Sequence, residues 1–219
     1  MVHKMSHPRS KTGSETKFSR YHPALVALHW ISAVLILVAL ATGTFWLKAT
    51  PNSSPDKIAQ LAAHMALGIA ILVLTVGRAA VRNITPLPER ATAGHVLLDK
   101  LAVATHYGLY AAIILMAVSG IVTAAMADLP AVVFGGSSAP LPESFSNLPP
   151  RIAHGLLAQA LIALILLHTL GALYHHLFRK DQLWRRMWFE QRSTINPVNR
   201  RQKEVYDDQS TPKDCRPHR

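Results

Sequence analysis

Four stretches of this 219-residue chain contain no Asp, Glu, Lys or Arg: residues 21–47, 58–77, 101–127 and 152–178. Each reaches the ~20 residues that an α-helix needs to cross a ~30 Å hydrocarbon core. Of the chain's 14 prolines only Pro23 falls inside them, and it trims the first span to 24–47. In lipid every backbone polar group must be satisfied within the segment, so continuous helix is the expected state. The expectation is an all-α membrane protein, a bundle of four transmembrane helices that leaves no room for a soluble catalytic domain. A cleaved leader is the competing reading of the first span, with Ala39-Leu40-Ala41 as its small-residue site. A leader's apolar region is about 7–15 residues, whereas this run is longer and continues past the triplet, so it reads as a retained helix.

The chain is 50% hydrophobic and only 16% charged, yet its formal net charge is +11. Its basic residues lie outside the apolar spans, and 20 of the 23 Lys and Arg fall in the amino-terminal tail, the second loop (Arg78, Arg82, Arg90, Lys100) and the region from Arg179 onward. The first and third loops hold only Lys48, Lys57 and Arg151. The positive-inside rule then puts both termini and the second loop of a multi-pass membrane protein in the cytoplasm. Basic residues placed beside membrane spans argue against nucleic acid as partner and for lipid. Residues 1–20 and 190–219 read as polar, mobile cytoplasmic tails around a membrane domain at 21–189. The third loop, 128–151, is rich in Pro and Gly and favours turns. Between 179 and 189, Trp184, Trp188 and Phe189 alternate with Arg185 and Arg186, as in a stretch lying on the membrane surface.

Histidine carries the chemistry. Seven of the chain's 12 lie within the four spans: His29, His64, His106, His154, His168, His175 and His176. Polar side chains inside a membrane are costly and by default mark function. A zinc site would want Cys or carboxylates beside them, and a proton relay would want Asp or Glu, and the spans contain neither. Haem iron needs only two neutral imidazoles from facing helices. His154 and His168 are 14 residues apart, about 21 Å along a helix and about 40° from one face. One helix thus offers ligands to two stacked haems. By depth His64 can meet His154 near the outer surface, and His29 can meet His168 near the inner one. Spacing leaves the inner partner open, because His175 lies within about 60° of the same face and His106 sits at similar depth on the third helix. Gly68 and Gly171 fall about one turn after His64 and His168, where small residues would let a flat macrocycle approach the backbone.

The order of motifs resembles the bacterial cytochrome b561 family of four-helix, two-haem membrane cytochromes. The matching residues are Tyr21-x-Pro23, Leu28-His29-Trp30, His64-xxx-Gly68 with Arg78 and Arg82, His106-xx-Leu109-Tyr110, Ser119-Gly120, Phe134-Gly135-Gly136 and Leu141-Pro142. On the fourth helix they are His154, His168, Leu173-Tyr174-His175-His176, Lys180-Asp181 and Arg185-Arg186-Met187, so the resemblance runs from about Phe18 to Phe189. It implies His29 and His168 as axial ligands of one non-covalent haem b and His64 and His154 as those of the other. His106, His175, His176 and Arg78 are left as contacts to propionates or a quinone. Three positions depart from the family pattern: Val26 and Met65 stand where basic residues are common, and Val103 where many relatives carry a further histidine.

Iron with both axial positions filled by histidine has no open site for oxygen activation, so electron transfer is the natural activity. The family likeness implies ubiquinone as the electron partner, and some members are similar to superoxide oxidases. Lys48, Lys57 and Arg151 could steer such a small anion toward the outer surface. A haem-bearing membrane anchor of a larger redox complex and a haem-free four-helix transporter or scaffold are the alternatives. Covalent haem is excluded, because the one cysteine, Cys215, stands in no Cys-x-x-Cys-His motif.

Overall fold

The computed structural model describes residues 17, 18, 20–89, 91–181, 183–188, 194 and 195. Helix α1, Pro23–Ala41, is opened by His22, whose ring accepts the Ala24 N–H at 3.2 Å. Pro23 takes the first position, where its missing N–H costs nothing. The helix continues as a π-helical segment, Thr42–Leu47. Then come α2 (Asp56–Ile84), α3 (Val96–Met126), a short α4 (Leu129–Val133) and α5 (Pro149–Tyr174), which is prolonged by a π-helical turn, His175–Arg179. A last helical turn, α6, covers Leu183–Arg186. Among the described residues, helices α1, α2, α3 and α5, with their extensions, are the four long and apolar enough to cross a membrane. Their outward faces carry exposed Val34, Leu37, Val73, Leu115, Leu166 and Leu170. Such faces suit lipid as solvent.

The helices overrun the charge-free stretches at their ends. α2 runs past Arg78 and Arg82 to Ile84, and α3 starts at Val96, ahead of Asp99 and Lys100. Long basic side chains can lie along an apolar helix and keep their heads in water. Asp99 ties the preceding loop to α3, accepting from Thr92 Oγ1 at 2.7 Å and the Ala93 N–H at 2.6 Å.

Close packing joins α3 to α5, α1 to α2 and α2 to α3. At mid-bundle Ile36, Ile71, Ala112 and Leu161 form a buried layer, one from each long helix. Ile36 follows His29, Ile71 follows His64 and Leu161 follows His154 by seven residues each, and His168 follows Leu161 by seven more. Seven residues are about two turns, so each layer residue shares a helix face with its histidine. Because lipid tails are as apolar as these side chains, the layer holds by packing rather than by exclusion of water. Among the described residues Val26 is the most buried large side chain, at 1% exposure.

At the end of the bundle away from the termini, α4 seats Leu129 and Val132 against α2 and α3, so the third loop is more regular than its Pro and Gly content suggests. Asn52 donates to the Pro142 carbonyl at 2.6 Å, joining the first loop to the third. Lys57 corrects a sequence expectation. It is 5% exposed, and its Nζ donates to the carbonyls of Leu47 and Thr50. It therefore caps the π-segment, whose last carbonyls have no intrahelical partner, and does not stand on the surface as a free cation. Lys57→Met should cost about 1.5–3 kcal/mol, the usual worth of hydrogen bonds from a charged donor. A lowered thermal midpoint in detergent, followed by far-ultraviolet circular dichroism, checks it; an unchanged midpoint would contradict the capping role.

The terminal end is stitched together by backbone carbonyls. Trp30 Nε1 donates to Met187 O at 2.9 Å, Arg20 to Arg185 O at 3.1 Å and Arg186 to Glu89 O at 2.7 Å. Lys17–Phe18 pairs antiparallel with Thr194–Ile195, a regular contact where the sequence suggests only mobile tails. The rest of the tails, Cys215, Arg90, Phe189 and the Trp184 side chain lie outside the described residues.

Candidate functional site

The long helices bring the histidines together in two groups, separated by the mid-bundle layer. Toward the terminal end, His29 of α1 faces His168 of α5 with ring centroids 6.2 Å apart and planes at 69°. Toward the other end, His64 of α2 faces His154 of α5, again at 6.2 Å and at 71°. A metal–imidazole bond is about 2 Å, and a ring nitrogen lies roughly 1.2 Å from its centroid. Two imidazoles on opposite sides of one iron therefore put their centroids about 6.4 Å apart. Both pairs fit that requirement.

Two further observations bear on a macrocycle. A Cβ added at Gly68 or Gly171 would meet nothing within 4 Å, so both helices present open backbone beside the rings. Each pair also has one guanidinium within electrostatic reach, Arg78 for His29 and His168, and Arg151 for His64 and His154. Arg78 lies 5.8 Å from the centre of the Tyr110 ring. A cation beside each pair suits the carboxylates of a haem's edge.

His154 is oriented by α3. Its Nδ1 lies 3.0 Å from the Met116 carbonyl and 3.1 Å from Ser119 Oγ. A carbonyl can only accept, so Nδ1 carries the proton and Nε2 keeps its lone pair for a metal. His64 Nδ1, by contrast, is buried with no hydrogen-bond partner among the described residues. His106 Nδ1 bonds the Ala102 carbonyl at 2.7 Å, and its ring stands 5.0 Å from that of His168. His175 turns elsewhere. Its Nδ1 lies 2.6 Å from Asp181 Oδ2 in the loop that follows, and its ring is buried beside Tyr174. Burial pushes the Asp181 carboxyl up, but hydrogen bonds from His175 and the Leu183 amide and the charges of His175 and Arg186 outweigh it. The group therefore stays below the usual carboxylate range and ionised at neutral pH. His176 is exposed.

Of the three residues that spacing allows opposite His29, His168 faces it directly, His106 packs on His168, and His175 is engaged by Asp181. Sequence reasoning missed the roles of Met116, Ser119, Gly43 and Asp181. The Met116 contact is through backbone and has no side-chain signature, whereas Ser119 is a polar residue deep in an apolar span and was a usable signal.

Comparison with known proteins adds a family. The profile described as prokaryotic cytochrome b561 matches residues 20–190. Cytochrome b561 homolog 2 of Escherichia coli (strain K12) is 27% identical over 172 residues, covering 77% of this chain and 90% of its own. Cytochrome b562 of Cereibacter sphaeroides is 29% identical over 166 residues, 74% of this chain and 90% of the relative. A protein of Yersinia pestis named probable superoxide oxidase CybB is 28% identical over 171 residues, 77% of this chain and 95% of the relative.

Proposed function

The chain belongs to the prokaryotic cytochrome b561 family of membrane electron-transfer proteins, and from that premise we propose that it carries electrons between an outer-face donor and the quinone pool through two non-covalent b haems. Membership of a haem family sets aside the haem-free transporter. Four histidines hold the haems, His64 with His154 on the outer side and His29 with His168 on the inner side. The observation that carries this reading is the pair of imidazole couples at one spacing, 6.2 Å, on either side of an apolar layer. Haem b held by two imidazoles supplies a one-electron couple with no open coordination position. The excess of Lys and Arg at the terminal end makes that end cytoplasmic.

The remaining residues bind and guide. Arg78 and Arg151 neutralise haem carboxylates, and His106 lies beside the inner site with its Nδ1–H given to the Ala102 carbonyl. At the inner surface the neighbouring His176 supplies a donor to a quinone carbonyl, while His175, whose Nδ1–H is given to ionised Asp181, presents Nε2 as an acceptor for a quinol hydroxyl. For the donor, the name of the Yersinia pestis relative suggests superoxide. Exposed Lys48 and half-buried Arg151 then remain to attract a small anion at the outer face. The balance is two superoxide anions oxidised to dioxygen and one quinone reduced to quinol, with two protons taken up.

Purified protein should contain about two haems per chain, read by pyridine haemochrome against protein mass. A ratio near one or zero would sink the two-haem reading. Reduction of the visible bands by superoxide and by quinol, each added alone, tests the partners. If the bands respond only when a hydrophilic subunit co-purifies, the anchor-subunit reading replaces this one.

A further inference from the structure

The two ends of the outer pair are gripped differently from the inner pair, and glycine makes the grip possible. Gly120 lies on α3, one residue after Ser119, and a Cβ built there would stand 3.2 Å from His154 Cε1. Gly43 lies in the π-segment that follows α1, and its Cβ would stand 3.1 Å from His64 Cε1. Both distances are tighter than ordinary contact, so each ring rests directly on a helix backbone that only glycine leaves bare. No glycine is in such contact with His29 or His168 among the described residues.

Hydrogen bonding sharpens the difference. Ser119 Oγ donates to the Met116 carbonyl at 2.9 Å, which leaves its lone pairs to accept from His154 Nδ1–H together with that carbonyl. Ser119 is itself 9% exposed. The His154 plane is thus set along its Nδ1–Cε1 edge, by two acceptors and by Gly120. His64 has no hydrogen bond at Nδ1, so its plane is set by packing alone, on Gly43. That contact exists because the π-segment widens α1 at this point, and such insertions recur at functional sites.

We propose that Gly43, Gly120 and Ser119 are positioning residues that clamp the two outer imidazoles crosswise, at the 71° seen between their planes, and so fix the electronic character of the outer haem. The inference rests on the assignment of His64 and His154 as that haem's ligands. Groups beyond the ligands set ring orientation and ligand basicity at metal sites, and losing them commonly costs about 10–100-fold in metal affinity. Ring orientation also governs the splitting of the iron d orbitals. Near-perpendicular imidazoles give a low-spin ferric signal with an unusually large highest g value, and rotation toward parallel lowers it.

The test uses full-length protein in detergent, with electron paramagnetic resonance and redox titration of Gly43→Ala, Gly120→Ala, Ser119→Ala and Ser119→Thr. The expected result is that each alanine variant moves the signal and midpoint of one haem and leaves the other unchanged. Gly43→Ala should move it most, because His64 Nδ1 has no hydrogen-bond partner among the described residues, and Ser119→Thr should restore the parent signal by keeping the hydroxyl. Loss of the outer haem alone, with the inner retained, also supports the clamp. Unchanged spectra in Gly43→Ala and Ser119→Ala, or changes shared equally by both haems, would overturn it. His64→Ala is included so that a failed ligand assignment shows itself separately, as retention of both haems.

Discussion

Replacing either His64 or His154 by alanine should remove one and the same haem, lowering the Soret absorbance per protein to about half and sparing the second haem's α band and potential. The two rings face each other at 6.2 Å from helices α2 and α5, at the end of the bundle away from the termini. They are a matched pair, so a site that has lost one imidazole keeps only half of its axial bonding, and the partner cannot hold the macrocycle in place alone. The apolar layer of Ile36, Ile71, Ala112 and Leu161 separates this site from the other, so the damage should stay local. Difference spectra of the two variants check the pairing. If they lost spectrally different haems, His64 and His154 would belong to separate sites.

The companion result concerns the inner site, where sequence spacing left three partners open for His29. His168→Ala should abolish the inner haem. His175→Ala and His176→Ala should keep both haems and instead slow quinone turnover or shift a midpoint. His168 faces His29 at 6.2 Å, whereas the Nδ1 of His175 is committed to Asp181 at 2.6 Å. Depth agrees with this. His175 lies five residues before Lys180, whose left-handed backbone at φ 50° ends the helix, so a haem bound there would sit among headgroups rather than at the buried depth that tunes its potential. Haem content together with quinone reduction rates separates the two roles. Loss of a haem in the His175 variant, with retention in the His168 variant, would reverse the assignment.

The helices and the depth of each histidine were legible because membranes impose a coarse code: length without charge gives the span, and 1.5 Å per residue gives the depth. The code is blind to side chains that bend back on backbone. Lys57 reads as a surface cation in sequence, and nothing in its neighbours announces that its ammonium turns inward to two carbonyls. The π-segment at Thr42–Leu47 is equally silent, because one extra residue per turn leaves no mark on hydropathy, and so the meeting of Gly43 with His64 could not be foreseen. Gly68 and Gly171 were legible because they stand one turn from a histidine on their own helix. Gly120 was not, because its histidine lies on another helix.

The placement of the histidines on α5 has a consequence for assembly. Each imidazole couple takes one member from an early helix, α1 or α2, and the other from α5. A growing chain that has inserted its first three long helices holds half of each site and completes neither. When α5 enters the bilayer, both sites become competent in one step. The segment around Arg185–Met187, synthesised next, then docks on Arg20 and Trp30 behind it. If the two couples hold haem as proposed, cofactor loading waits for this last stage of biogenesis, and a chain stalled before α5 presents no finished couple to capture it.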